Sequence, residues 1–150
     1  MELAFLRMPS GEEPEPIGLP VYATAGSAGM DLCAAVRQPL VVEPGRRVMV
    51  PIGFAVAIPT GFEGQVRPRS GRAWRDGLTV VNAPGTIDSD YRGEVKVLLI
   101  NLGTETLTIQ RGERIAQLII APVHQLTPTE VGSLDATERG FGGFGHTGDS

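Results

Sequence analysis

A chain of 150 residues with net charge -4, 41% hydrophobic and 20% charged, fits one soluble domain that can bury its own core. The acidic balance argues against binding duplex nucleic acid through an overall positive field. One cysteine, Cys33, excludes an internal disulfide, and 20 glycines and 12 prolines spread along the chain indicate short strands and many turns, not a helical bundle.

The opening MELAFLRMPS lacks a basic stretch followed by a long apolar run, so no signal peptide is expected. No segment reaches the roughly 18 apolar residues of a membrane span. The expectation is a cytoplasmic protein without a membrane partner, with Cys33 a small buried apolar residue. Residues 9–20, rich in proline and glutamate, read as a surface loop. Strand character begins at Gly29. Leu40 to Val42, the turn Glu43-Pro44-Gly45, and Val48 to Val50 predict a tight reversal between strands. Phe54, Val56 and Ile58 alternate along one face. Gln65 to Arg67, Leu78 to Val81, Glu94 to Ile100 and Leu107 to Ile109 are further strands. Ile115 to Ile120 is a nearly continuous apolar run, as in a strand covered on both faces. The one good helix candidate is short, Gly71 to Asp76. The glycine-rich end reads by composition as a tail.

Common catalytic kits are missing from the sequence. Two histidines and one cysteine do not make a usual structural zinc site. There is no GxSxG elbow and no P-loop, and the glycine-rich end does not open a helix after a strand. Five short polar clusters remain. Pro68-Arg69-Ser70-Gly71 puts an arginine, a hydroxyl and a helix start together, which suits phosphate oxygens; Ser70 as a mere N-cap is the plainer alternative. Gly85 to Val95, GTIDSDYRGEV, reads as a hairpin with a functional tip, where Asp88 is a candidate general base or simply a turn residue. Arg139 to Gly148 offers Arg139 for phosphate and Phe144 for stacking. Asp31 breaks the apolar stretch AGMDL. Gln117 interrupts the apolar RIAQLI, and a buried amide needs a partner.

In this order, AGMDL, PRSGRA, GTIDSDYRGEV, RIAQLI and RGFGGFGHTG resemble the five motifs of the trimeric deoxyuridine triphosphatase family, from about Tyr22 to Gly148. The resemblance implies an all-β fold, a distorted jelly-roll barrel over residues 1–138 with one short helix after the second motif. It implies a homotrimer, with the tail 139–150 closing over a neighbour's active site. The implied reaction is Mg²⁺-assisted hydrolysis of dUTP to dUMP and pyrophosphate, which keeps uracil out of DNA and supplies dUMP for thymidylate synthesis. By resemblance, Asp88 is the catalytic aspartate. Arg69, Ser70, Gly71 and Gln117 contact phosphates; Asn82, Thr86, Ile87 and Lys96 read uracil; Tyr91 packs under the sugar. Arg139 meets the γ-phosphate, Phe144 and Gly145 belong to the closing tail, and Asp31 reaches the metal through water only.

Two residues depart from the family pattern. His146 replaces a usual serine, and Arg72 replaces a usual aliphatic residue, where it adds phosphate attraction or points to solvent, the latter being expected. Trp74, beyond the motif, is expected to pack. Two alternatives stay open at this level. One is a dCTP deaminase, which shares the fold but places a glutamate at the base. The other is a non-catalytic deoxyuridine nucleotide sensor.

Overall fold

The computed structural model describes residues 2–9 and 16–143. In chain order its elements are β1 (Ala4–Arg7), β2 (Met30–Cys33), β3 (Leu40–Val42), β4 (Arg47–Ala57), β5 (Phe62–Arg67), α1 (Ser70–Asp76), β6 (Leu78–Val80), β7 (Gly85–Ile87), β8 (Glu94–Asn101), β9 (Leu107–Ile109) and β10 (Arg114–Pro122). Two four-stranded sheets, ordered β1-β4-β8-β6 and β2-β10-β5-β7, and the pair β3-β9 are antiparallel throughout. This non-sequential order in an all-β chain is of the expected jelly-roll kind.

The core lies between the sheets. Leu32, Val66, Ile115 and Leu118 from one meet Val50, Phe54, Val97 and Leu99 from the other, with Val42 and Ile109 from the third pair. Phe54 also packs edge-on against Phe5, ring centroids 6.1 Å apart, with the Arg7 guanidinium 4.6 Å above its ring. The loop read from residues 9–20 is not wholly superficial, because Ile17 enters the core and its carbonyl accepts a bond from Arg7.

Several local expectations change. Glu43 to Arg46 does turn, with the Arg46 N–H on the Glu43 carbonyl. Yet β3 and β4 do not pair: β3 joins β9, and β4 lies between β1 and β8. Likewise GTIDSDYRGEV is no ladder hairpin, since β7 pairs with β5 while β8 pairs with β4 and β6. Both turns carry the chain from one sheet to another. Phe54, Val56 and Ile58 are buried as expected, but so is Ala55, past the irregularity at Gly53, whose φ is 77°. In β10, Ile115 and Ala116 are buried while Ile119 and Ile120 are only half-buried in the single chain. The helix begins at Ser70, inside the second motif and not after it.

Candidate active site

One row of residues organises the first cleft. Asp31 on β2, Gln117 on β10 and Arg67 on β5 are direct cross-strand partners, so they share one face of the sheet. The chain leaves β5 at Pro68 and turns into α1, which brings Arg69, Ser70 and Gly71 over that face. A cleft of about 610 Å³ results, lined among others by Asp31, Arg69, Ser70, Gly71, Arg114 and Gln117. Gln117 ties the motifs together: its Nε2 donates to the Pro68 carbonyl at 2.9 Å. Its Oε1 sits so close to Gly29 that a Cβ there would lie 2.7 Å from it, so a larger residue would push the amide out of this position.

The electrostatics of the cleft rest on arginine. Asp31 bridges two guanidiniums, Arg69 Nε at 3.0 Å and Arg114 Nη1 at 3.2 Å. Arg69 Nη1 also donates to the Arg114 carbonyl at 3.3 Å. Arg69 is the residue before the helix, and no side chain caps α1, so Ser70 is not an N-cap. A helix of seven residues carries little macrodipole, and the attraction for an anion comes from the guanidiniums. Arg114 escaped the sequence reading because an arginine at the edge of an apolar strand looks like a solvated charge.

Arg72 corrects its expectation. It does not point to solvent: it is 9% exposed and bonds both Asp76 and Glu113. Trp74 does the reverse and is 93% exposed, so it packs on nothing among the described residues. Asp76 is held below the usual carboxylate range, first by the hydrogen bond from Arg75 and also by Arg72, against the upward push of burial. The folded chain therefore takes up this proton less readily than the unfolded one. The stabilisation is complete above about pH 4 and is lost as pH falls through the lower folded value. Asp76→Asn should lower Tm at pH 7 and have a smaller effect at pH 3 in thermal melts; equal shifts at both would remove the carboxylate as the cause. Cys33 is half-buried, not fully buried as expected, and packs against the core; burial, with Asp31 adding to it, pushes its thiol up.

The second cleft follows from where strands stop. β6 pairs only with Leu99 to Asn101 of β8, leaving Glu94 to Val97 without a ladder neighbour on that side. β7 is an edge strand, paired only with β5. Such edges present backbone N–H and C=O groups. Here Thr86, Ile87, Asp88, Tyr91 and Lys96 line a cleft of about 470 Å³, together with Met49 and Leu98. The Tyr91 hydroxyl donates to the Glu94 carbonyl at 3.2 Å. A Cβ at Gly93 would meet that hydroxyl, so any larger residue there would displace the Tyr91 ring from this position.

The expected residues thus fall into two groups, phosphate-type in the first cleft and base-type in the second. β10 and β7 flank β5 on opposite edges, roughly 10 Å apart. Asn82 lines neither cleft as described; its amide lies against Gly85. Arg139 is exposed, its Nε donating to the Gly142 carbonyl at 2.8 Å. Phe144, Gly145 and His146 lie outside the described residues. Among the described residues no three His, Cys, Asp or Glu side chains gather as metal ligands, and none of the helices is long and apolar enough to cross a membrane.

A family model described as dUTPase matches residues 15–148. A deoxyuridine 5'-triphosphate nucleotidohydrolase of Desulfotalea psychrophila is 62% identical over 138 residues, 92% of either chain. The chain belongs to the dUTPase family. A second such relative, from Caulobacter vibrioides, is 64% identical over 132 residues, 87% of this chain and 85% of its own. Among solved structures, the Staphylococcus bacteriophage 80alpha dUTPase with dUPNHPP superposes with a TM-score of 0.82 at 25% identity, covering 98% of both chains. The dUTPase match spans all five polar clusters.

Proposed function

We propose that the protein hydrolyses dUTP to dUMP and pyrophosphate, acting as a homotrimer on the Mg²⁺ complex of the nucleotide. The observation that carries this reading is the first cleft. It gathers Asp31, Arg69, Ser70, Gly71 and Gln117, from three motifs far apart in sequence, around an anion-sized space framed by arginines.

The triphosphate lies in that cleft, on Arg69, Ser70, Gly71 and Gln117. Uracil and deoxyribose lie in a cleft of the second kind, against the open backbone of Thr86, Ile87 and Lys96, with Asn82 beside them and Tyr91 under the sugar. A cytosine would leave buried donors and acceptors unpaired there, at about 1–3 kcal/mol each. Asp88 takes a proton from a water molecule. The water oxygen bonds to the α-phosphorus, the α–β bridging P–O bond breaks, and pyrophosphate leaves with that bridging oxygen. The donor set does not form a metal cage, and both Asp31 oxygens engage arginine. This suits an ion that arrives on the phosphates and meets Asp31 only through water. Bound with the nucleotide, the ion would supply charge neutralisation at the phosphates, while Arg69, Ser70, Gly71 and Gln117 hold the chain in line.

The split of base-type and phosphate-type groups between two clefts favours sites completed by a neighbouring copy. So do the exposed apolar side chains Met49, Val81, Leu126 and Leu134. Arg139, Phe144 and Gly145 would then come from the tail of a further copy, closing over the nucleotide. In the cell this activity would keep uracil out of DNA and provide dUMP for thymidylate synthesis, in the cytoplasm.

The test is a product assay with Mg²⁺ on dUTP, dCTP, dTTP and UTP. Monophosphate and pyrophosphate from dUTP alone are the expected result. Ammonia from dCTP would place the protein among deaminases, and binding without product would make it a sensor.

A further inference from the structure

We propose that Arg72 is a positioning residue for the triphosphate cleft, clamping the first turn of α1 to the start of β10; this rests on the nucleotide reading above. Arg72 sits two residues after Ser70, and its buried guanidinium reaches Asp76 on its own helix and Glu113 just before β10. Glu113 is itself fixed, its second oxygen accepting the Gln110 N–H at 2.8 Å. Asp76 is shared with Arg75, at 2.9 Å and 3.1 Å. A buried guanidinium with two carboxylates is a costly arrangement to keep unless it does something.

What it does follows from the neighbours. Glu113 adjoins Arg114, Arg114 pairs with Asp31, and Asp31 pairs with Arg69, which immediately precedes α1. The contacts close a ring through α1, the β10 start and β2, and the ring frames the cleft. Two of its links, Arg69–Asp31 and Arg114–Asp31, are the ones phosphate oxygens would compete for, because they use the cleft's own guanidiniums. The Arg72–Glu113 link is part-buried, and its guanidinium already holds two carboxylates. It holds the frame while the other two exchange partners. Without it, the entry to α1 is held on β10 and β2 by the Gln117 bond to the Pro68 carbonyl, the Arg69 bond to the Arg114 carbonyl and the Asp31 bridge, two of which use the guanidiniums that phosphate would draw away, so Ser70 and Gly71 are held less firmly at their distance from Arg114.

Three variants test this: Arg72→Met, Glu113→Gln and the double variant. Glu113→Gln retains the acceptor for the Gln110 N–H, so it keeps the test alive if Arg72→Met folds poorly. Each is titrated calorimetrically with inorganic tripolyphosphate, and KM, kcat and Tm are measured with dUTP. Each single variant should weaken tripolyphosphate binding and raise KM about tenfold, since small misplacements of positioning groups cost factors of this order. kcat should stay within about threefold, and the double variant should be no weaker than either single, as for one shared contact. Wild-type tripolyphosphate affinity in Arg72→Met and Glu113→Gln, whatever their Tm, overturns the proposal. So do losses that multiply in the double variant. If the wild type does not hydrolyse dUTP but tripolyphosphate binding still falls in the variants, the clamp stands and only the substrate reading is lost.

Discussion

Asp88→Asn should cut kcat for dUTP by about 10²–10⁴-fold, the usual range for loss of a general base, with KM little changed. The argument is geometric. Asp88 follows the last residue of β7 and is exposed, where it borders the cleft that holds Thr86, Tyr91 and Lys96. Its carboxylate does no structural work among the described contacts; it is the Asp88 backbone carbonyl that accepts the Tyr91 N–H, at 3.2 Å. Asparagine keeps the size and an acceptor oxygen but cannot take a proton from water. The fold, the loop and the two clefts should therefore survive, and only the chemical step should fail. Steady-state kinetics with pyrophosphate detection, beside a thermal melt of the variant, separates these effects. Turnover within a few-fold of the wild type would remove Asp88 from the proton transfer.

Much of the architecture was legible because it is local. Leu107 to Ile109 was delimited to the residue, and Leu78 and Glu94 were right as strand starts, since alternation and flanking turns mark them. What was not legible is pairing across the sequence. The Glu43-Pro44-Gly45 turn looks like a hairpin, yet β3 finds β9 nearly seventy residues on. Nothing in the turn itself encodes that choice, which depends on which apolar faces the two large sheets leave open. The same gap separates residue types from sites. The phosphate-type cluster at Arg69 was visible, and the structure adds the Arg114–Asp31 pair that only β2–β10 pairing brings together. Arg72 was misread because one of its partners, Glu113, lies 41 residues away. Its other partner, Asp76, is at i+4 and was legible as a helix pair. Trp74 shows the converse: its size suggests packing, but the short helix turns it outward.

Asn101→Leu should lower stability by about 3 kcal/mol and should leave the chemistry of folded molecules intact. Asn101 is fully buried at the end of β8. Its Nδ2 donates to the Val42 carbonyl at 2.9 Å and to the Glu105 carbonyl at 2.8 Å, and its Oδ1 accepts the Gly103 N–H at 2.9 Å. One side chain thus satisfies three backbone groups, on β3 and on the turn between β8 and β9. Its own backbone bonds Gly45 and Arg46, so the turn between β3 and β4 hangs on the same residue. The Gly103 bond also seats that glycine beside Gly77, where the helix ends in a left-handed residue of φ 69° and a Cβ would strike the Gly103 backbone. Leucine has similar volume but no polar atom, so it removes the partner of the buried bond at the Val42 carbonyl and of two part-buried bonds at Glu105 and Gly103, where a buried group left unpaired costs about 1–3 kcal/mol. For a chain of this size each kcal/mol moves Tm by roughly 2–4 °C, so a fall on the order of 10 °C is expected. Because Asn101 lines neither cleft, kcat and KM measured well below the transition should match the wild type. A shift of only a degree or two would mean that water takes over the three bonds, and the side chain would then be a replaceable filler and not the pin of these turns.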